Sequence, residues 1–259
     1  MKIAIIGLGE AGGRYATALA GLGHEVVGFD PAVQTPVEGT TLSSSVPDAV
    51  SAADVVLVMT GAQAAPSVAE SAAPALPPGA CYADFTSSSP VVMEELGTLI
   101  GAQGAHFADV AILGPVPWHG AQTPLMISGP GAKTIADLAD QLGATATVVE
   151  GPPGAAMAHK LLRSVFMKGL ASIVVEATEA GRAAGYEPWI REQIAAQLAG
   201  DGQAVIDRLL TGTRTHARRR AHEMADTASY LEGMGVPPLM SRATEASLQR
   251  LADLKEGAS

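Results

Sequence analysis

The sequence predicts an α/β domain over residues 1–152, built on a doubly wound and mostly parallel sheet, followed by an all-helical domain over residues 153–259. Three observations carry this expectation. Short apolar runs alternate with stretches of helical periodicity in the first part, a glycine-rich turn separates the first run from the first helix, and strand signals cease after Gly151-Pro152-Pro153-Gly154.

The elements follow in order. Lys2–Ile6 is an apolar, β-branched run that stops at Gly7, and Glu10–Leu22 has helical periodicity ending at Gly23. Glu25–Phe29 reads as the next strand, 46–52 as a short helix and 54–59 as a strongly apolar strand. The segments 64–73, 80–84 and 90–103 read as helix, strand and helix. Strands and helices alternating at this spacing imply parallel pairing with right-handed crossovers. Leu125–Ser128 and 146–149 are further strand candidates around a helix at 132–142, which extends the sheet to about Glu150. Beyond the Gly-Pro-Pro-Gly turn only helical stretches remain: 155–184, 188–198, 204–210, 214–234 and 238–255. Gly233, Gly235, Pro237 and Pro238 mark a break between the last two.

Composition narrows the function. The 259 residues carry 26 acidic and 16 basic side chains, a formal charge of −10, which argues against a nucleic-acid or anionic-membrane partner, since both need a basic footprint. Aromatics at 4% leave little for base or sugar stacking. Cys81 is the single cysteine, so no internal disulfide forms, and a cytoplasmic location is expected. Inside a predicted strand, that thiol is expected to be core. Mean hydropathy is +0.24, yet no run of 18 apolar residues escapes a Gly, Pro or charge cluster. The N-terminal apolar run has no small-residue cleavage site after it and reads as a strand rather than a signal. No metal cluster is expected.

Gly7-Leu8-Gly9-Glu10-Ala11-Gly12 is G-x-G-x-x-G directly after a strand and opening a helix. Gly7 permits the tight turn, Gly9 lets backbone approach a pyrophosphate, and Gly12 allows close helix–strand packing, with phosphate at the helix N-terminus. Asp30 ends the second strand, where a carboxylate accepts from both ribose hydroxyls and repels a 2′-phosphate. This is a Rossmann-type arrangement and favours NAD, with NADP possible; the competing reading is an ordinary glycine turn with a surface Asp. The motif assigns no role to the acid Glu10, although it and Ala11 sit at the phosphate site. Ligands of such sheets bind beyond the carboxyl ends of the strands, so Met59, Thr60, Thr86 and Ser87 are further candidates. Ser88 and Ser89 serve equally well as an N-cap before Pro90.

Lys160, Ser164 and Lys168 stand at i, i+4 and i+8, on one face of a helix otherwise rich in Leu161, Leu162, Val165, Phe166, Met167 and Leu170. A lysine with a buried stem and an amine facing a crevice can shuttle a proton. The alternative is a snorkelling pair of solvated lysines.

At these residues the chain resembles the β-hydroxyacid dehydrogenase family, which includes the 6-phosphogluconate dehydrogenases, over nearly its whole length. The family's G-x-G-x-M-G-x-x-M-A-x-x-L is matched at Gly7, Gly9, Gly12, Ala16 and Leu19, with Ala11 and Tyr15 replacing the methionines. Its G-x-x-G-x-G-x-x-x-K-x-x-N-N is met at Gly151, Gly154 and Lys160, with Ala156 for the third Gly and Arg163-Ser164 for the paired Asn. Its D-A-P-V-S-G-G appears as Asp109-Val110-Ala111-Ile112-Leu113-Gly114-Pro115. The resemblance implies that Lys160 is a general acid/base for hydride transfer between a nicotinamide and a small hydroxy acid or sugar acid. It places Ser164 where the family orients substrate with Asn, and Leu113 where it binds a carboxylate with Ser. Gly114, Pro115, Arg163 and Lys168 join Ser87 and Ser164 as substrate candidates. Oxidative decarboxylation, imine reduction and non-catalytic dinucleotide sensing are the alternatives; imine reductases generally lack this lysine.

Other residues read more blandly. His159 points about 100° away from Lys160 on the helix, which suits packing better than catalysis. Trp118-His119 either lines a pocket or anchors a loop. Arg218-Arg219-Arg220 spans three sides of its helix, as a solvated or salt-bridged run does. The long apolar helix favours a homodimer through the helical domains. Finally, 3 basic and 14 acidic residues precede the Gly151–Gly154 turn, a charge of −11, whereas 13 and 12 follow it, a charge of +1. The cations are concentrated in the half expected to meet a small anionic substrate.

Overall fold

The computed structural model describes residues 1–257, with side chains as far as Leu254. Eight strands form one sheet: β1 (Lys2–Ile6), β2 (Glu25–Phe29), β3 (Thr41–Leu42), β4 (Val55–Val58), β5 (Cys81–Asp84), β6 (His106–Ile112), β7 (Leu125–Ser128) and β8 (Ala146–Val148). Their order is β3-β2-β1-β4-β5-β6-β7-β8, so the chain winds outward from β1 in both directions and the switch point lies between β1 and β4. All neighbouring pairs are parallel except β6 with β7.

The helices of this part are α1 (Glu10–Gly21), α2 (Val46–Val50), α3 (Ala65–Ala72), α4 (Pro90–Gly101), α5 (Val116–His119) and α6 (Ala132–Gln141). Alternation along each strand feeds two cores. Ile3 and Ile5 of β1 pack with Tyr15, Leu19 and Ile135 from α1 and α6. Ala4 and Ile6 pack with Ala69, Met93 and Ile100 from α3 and α4. Each fully buried Ile or Leu contributes roughly 1.5–3 kcal/mol. The small residues Ala65, Ala69 and Ala72, all fully buried, let α3 lie close to the sheet.

Two features lie outside the sequence expectation. The periodicity reading passes over β6, whose His106-Phe107-Ala108-Asp109 mixes polar with apolar residues; its centre is nevertheless buried between the two cores. The sheet is mostly parallel, as expected, and the exception that the sequence does not locate is β7, where Val110 pairs with Ile127 and Ile112 with Leu125 in antiparallel register. The connection over residues 113–124 holds only α5 and a 3₁₀ turn, and a short connection without a full crossover helix brings the next strand back antiparallel. Cys81 is buried and its thiol is pushed up to about 12 by desolvation.

Helices α7 (Ala155–Ala183), α8 (Glu187–Leu198), α9 (Gly202–Thr215), α10 (Ala217–Gly233) and α11 (Leu239–Gly257) complete the described chain. Two compact units result, Met1–Arg163 and the part from Ser164 onward, with the division inside α7. Helix α9 is longer than the expected 204–210 because Asp201 caps it, accepting the Gln203 N–H at 2.9 Å. The expected single helix from 214 starts at Ala217, after a break at His216. In the second unit α10 packs on α11.

Candidate functional site

The glycine turn is shaped by what it cannot hold. Gly7 has φ +95, and a Cβ there would meet the Met59 carbonyl and Thr60 Cγ2 at 2.9 Å, so both backbone conformation and space demand glycine. A Cβ on Gly12 would lie 1.8 Å from the Gly7 carbonyl oxygen, because α1 rests directly on the turn. Gly9 differs. It is the N-cap of α1, no side chain caps the helix, and nothing lies within 4 Å of where its Cβ would be. The first N–H groups of α1 therefore face a cradle that a side chain would fill, and these residues fit a dinucleotide pyrophosphate.

Asp30 follows β2. Its Oδ2 accepts the Leu8 N–H at 2.8 Å and its Oδ1 the Ala32 N–H at 2.9 Å, which ties the end of β2 to the glycine turn. Each oxygen keeps acceptor capacity for a ribose hydroxyl. Glu10 lies in the first turn of α1, where the helix dipole favours an acid, and its carboxylate is 3.7 Å from Arg14. That pair accounts for an acid near the phosphate cradle. Tyr15, in place of a methionine, is buried edge-on to Phe85, and burial pushes its hydroxyl up to about 12.

Met59 and Thr60 follow β4 beside Gly7, both half-buried. After β5 the loop divides its hydroxyls. Thr86 is buried and pairs with Ser88 at 2.8 Å, Ser89 caps α4 by accepting the Val92 N–H, and Ser87 is exposed. Lys160 Nζ donates to Ser87 Oγ at 3.2 Å. The structure thus brings together two expected site residues that are 73 positions apart in the chain.

The turn bearing Ser87 and the helix bearing Lys160 both begin on buried carboxylates. Asp84 Oδ1 accepts the Thr86 N–H at 2.7 Å. Asp109 Oδ2 accepts from Ser128 Oγ at 3.1 Å and from the Gly154 and Met157 N–H groups at 3.0 Å each, while Ser128 Oγ accepts the Ala156 N–H. Asp109, read from the sequence within a substrate motif, is here the N-terminal anchor of α7. Burial raises the carboxyls of both acids, that of Asp84 to about 6, and in Asp109 the bonds to Met157, Ser128 and Gly154 partly offset this. An Asp closing an apolar strand was the only sequence signal for Asp84, and Ser128 had none.

The remaining candidates lie as follows. Gly114 packs on Thr123, Pro115 is exposed, and Leu113 donates its N–H to the Pro124 carbonyl. Arg163 and Lys168 are exposed on α7 and Ser164 is half-buried. His159 Nδ1 sits 2.7 Å from the Ala155 carbonyl of its own helix. Trp118 is 83% exposed and anchors nothing by burial. Arg219 pairs with Glu223, and Arg220 donates to Thr213 Oγ1. In the second unit, an apolar cavity of about 610 Å³ is lined by Ile173, Ala177, Trp189, Tyr230 and Met240. At its edge the buried Glu176 anchors α11, accepting from the Met240 and Ser241 backbones and the Ser241 hydroxyl. Among the described residues no group of three or more His, Cys, Asp and Glu could hold a metal, and no helix is long and apolar enough to cross a membrane.

Comparison with known proteins matches this geometry. The family model described as the NAD binding domain of 6-phosphogluconate dehydrogenase covers residues 2–151, and a domain of unknown function covers 182–251. An uncharacterised 28.5 kDa protein of Methanothermus fervidus is 23% identical over 175 residues, and the chain spans 66% of that relative's length. A conserved protein of unknown function whose structure shows similarity with 3-hydroxyacid dehydrogenases is 27% identical, with TM-score 0.65 over 98% of both chains. An imine reductase variant from Myxococcus stipitatus in complex with NAD+ is 18% identical, with TM-score 0.81 over 98% of this chain and 94% of its own, a likeness of fold. The glycine cradle, Asp30 and the matched residues 2–151 place this chain in the family of the NAD binding domain of 6-phosphogluconate dehydrogenase.

Proposed function

We propose that the chain is an NAD(P)-dependent oxidoreductase acting on the CH–OH group of a small anionic hydroxy acid or sugar acid, with Lys160 as general acid/base. The observation that carries this reading is the Lys160–Ser87 contact of 3.2 Å beyond the carboxyl end of β5, where sheets of this type bind their ligands. When bound, the nicotinamide supplies the hydride acceptor or donor. Gly7, Gly9, Ala11 and Gly12 would hold the pyrophosphate and Asp30 the adenosine ribose. The Asp30 carboxylate repels a 2′-phosphate and no Arg follows it, which favours NAD over NADP. Lys160 takes the hydroxyl proton during oxidation and returns it during reduction. Ser87, accepting from Nζ, orients the amine and leaves its own hydroxyl hydrogen for the substrate. Arg163, Ser164 and Lys168 follow on α7 and suit an anionic substrate.

The similarity to an imine reductase favours a second reading, reduction of a C=N bond, in which the same amine acts as acid. One screen separates the two: hydroxy acids and sugar acids with NAD+ or NADP+, and cyclic imines with NADH or NADPH, followed by absorbance of the reduced nicotinamide. Turnover only on imines would refute the CH–OH assignment, and carbon dioxide release would point to decarboxylation. Binding of NADH with no turnover on either set would favour a sensing role. Lys160→Met should retain NADH binding and lose about 10²–10⁴ in kcat; a variant keeping most of the rate would overturn the role of Lys160.

The same reading makes the protein a homodimer through the helical part. Leu162, Val165 and Phe166 on α7 are 64–76% exposed in the single chain, a contiguous apolar surface of the kind that marks an interface.

A further inference from the structure

Asp84 and Asp109 are Cα partners on the neighbouring parallel strands β5 and β6, and both are completely buried. Each holds one side of the Lys160–Ser87 contact. Asp84 Oδ1 accepts the Thr86 N–H and so closes the turn whose next residue is Ser87. Asp109 Oδ2 gathers the Gly154 and Met157 N–H groups and the Ser128 hydroxyl, and Ser128 holds the Ala156 N–H. Lys160 stands three residues, nearly one helical turn, beyond Met157. Three N–H groups at the start of α7 are therefore fixed to β6 and β7, and the lysine is carried by the turn they fix. Adjacent strands in a sheet are spaced by about 4.8 Å, so the helix and the loop are referred to one rigid frame.

We propose that Asp84 and Asp109, with Ser128, are positioning residues for the Lys160 amine: one carboxylate sets the loop that accepts from Nζ and the other sets the helix that carries it. This rests on the reading of Lys160 as the acid/base, and it deepens that reading by naming what aims the amine. The hydrogen bonds of the two acids go to the Thr86, Gly154 and Met157 N–H groups and to the Ser128 hydroxyl, so they act on Lys160 and Ser87 through backbone geometry. Two buried carboxylates are a costly way to fasten a loop and a helix when neutral side chains could cap both. Their shared register suits a site where the relative placement of loop and helix matters. The oxygens left over, Asp84 Oδ2 and Asp109 Oδ1, are both buried without a partner, which is retained polarity beyond what two caps require.

The test reads the amine directly and needs no substrate. The chain has five lysines, at positions 2, 133, 160, 168 and 255, so reductive methylation with ¹³C-formaldehyde gives a short set of NMR signals, assigned with Lys160→Arg. Asp84→Ala and Ser128→Ala should move the Lys160 signal at pH 5 and shift its titration midpoint by on the order of half a pH unit. The signals of Lys2 and Lys133 should stay in place. Asp84→Asn, which keeps an acceptor for the Thr86 N–H, should keep the wild-type Lys160 signal at pH 5. An Asp109→Ala protein that fails to fold is replaced by Asp109→Asn, which retains one acceptor for the helix and should give an intermediate shift. Unchanged Lys160 signals in folded Asp84→Ala and Ser128→Ala proteins, with only the melting temperature lowered, would overturn the proposal and leave a purely structural role. Because Lys160→Met turnover is measured separately, failure of the acid/base reading and failure of the positioning role give different results.

Discussion

Asp84→Asn should make the protein more stable at neutral pH, with no gain below about pH 4. In the native state burial raises the Asp84 carboxyl from 3.8 to about 6. Between these values the folded chain holds a proton that the unfolded chain has released, so stability falls as pH rises through this window. Below the lower value both states are protonated and the contribution is fully present; above the upper value it is lost. About two pH units at 1.36 kcal/mol each give a penalty of about 3 kcal/mol at pH 7.5. Asparagine carries no charge to desolvate, and its Oδ1 can still accept the Thr86 N–H. Loss of the ionic assistance to that bond takes back about 1 kcal/mol. The net gain is about 2 kcal/mol at pH 7.5, or roughly 4–8 °C in Tm, shrinking to nothing or a slight loss near pH 3.5. Asp109 is raised in the same direction, so both proteins keep some acid-side slope and the difference between them isolates Asp84. Urea unfolding of both proteins at several pH values between 3.5 and 7.5 measures it. A variant no more stable than wild type at pH 7.5, or a difference that stays constant with pH, would refute the reasoning.

Four further substitutions have definite expected outcomes. Gly12→Ala places a methyl group 1.8 Å from the Gly7 carbonyl and should destabilise the nucleotide unit by several kcal/mol, of the order of severe overpacking. Gly9→Ala meets nothing and should keep the wild-type Tm while weakening NADH binding at least about tenfold, a loss of about 1.4 kcal/mol; NADH fluorescence titration with thermal melts distinguishes the pair. Asp30→Ala should lower both NAD affinity and Tm, because the carboxylate also holds the Leu8 and Ala32 N–H groups. It should narrow any preference for NAD over NADP, and an unchanged ratio of kcat/KM would count against the ribose role. Phe166→Glu should shift the sedimentation coefficient from dimer to monomer at micromolar concentration, while a wild-type chain that sediments as a monomer would refute the dimer.

The cofactor half was more legible than the substrate half for a reason visible in particular residues. Gly7, Gly9 and Gly12 act within six consecutive positions, and their requirement is local: a turn, an approach and a contact between one strand and the helix that follows it. Asp30 lies one βα unit away, with a spacing set by element lengths. Lys160 announced itself through helical spacing with Ser164 and Lys168. Ser87 is a candidate by its place after a strand, and nothing local in the sequence ties it to Lys160, 73 positions away. Asp109 falls within a segment that resembles a substrate motif, yet its hydrogen bonds go to the start of α7. Strand β6 has a weak sequence signal because a strand buried on both faces shows no alternation, and its His106 and Asp109 interrupt the apolar run.

By itself the sequence determined an α/β part with a dinucleotide turn, a helical part after Gly154, a charge divided −11 to +1, and a lysine on a helix face. These are properties of neighbouring residues, set by φ/ψ preference and by the periods of helix and strand. Tertiary structure alone decided that β7 runs antiparallel, that Asp84 and Asp109 stand in register and completely buried, and that Ser87 and Lys160 meet at 3.2 Å. Each of these depends on which strands become neighbours, a choice made by burial of two sheet faces over the whole domain, and no short window of sequence contains it.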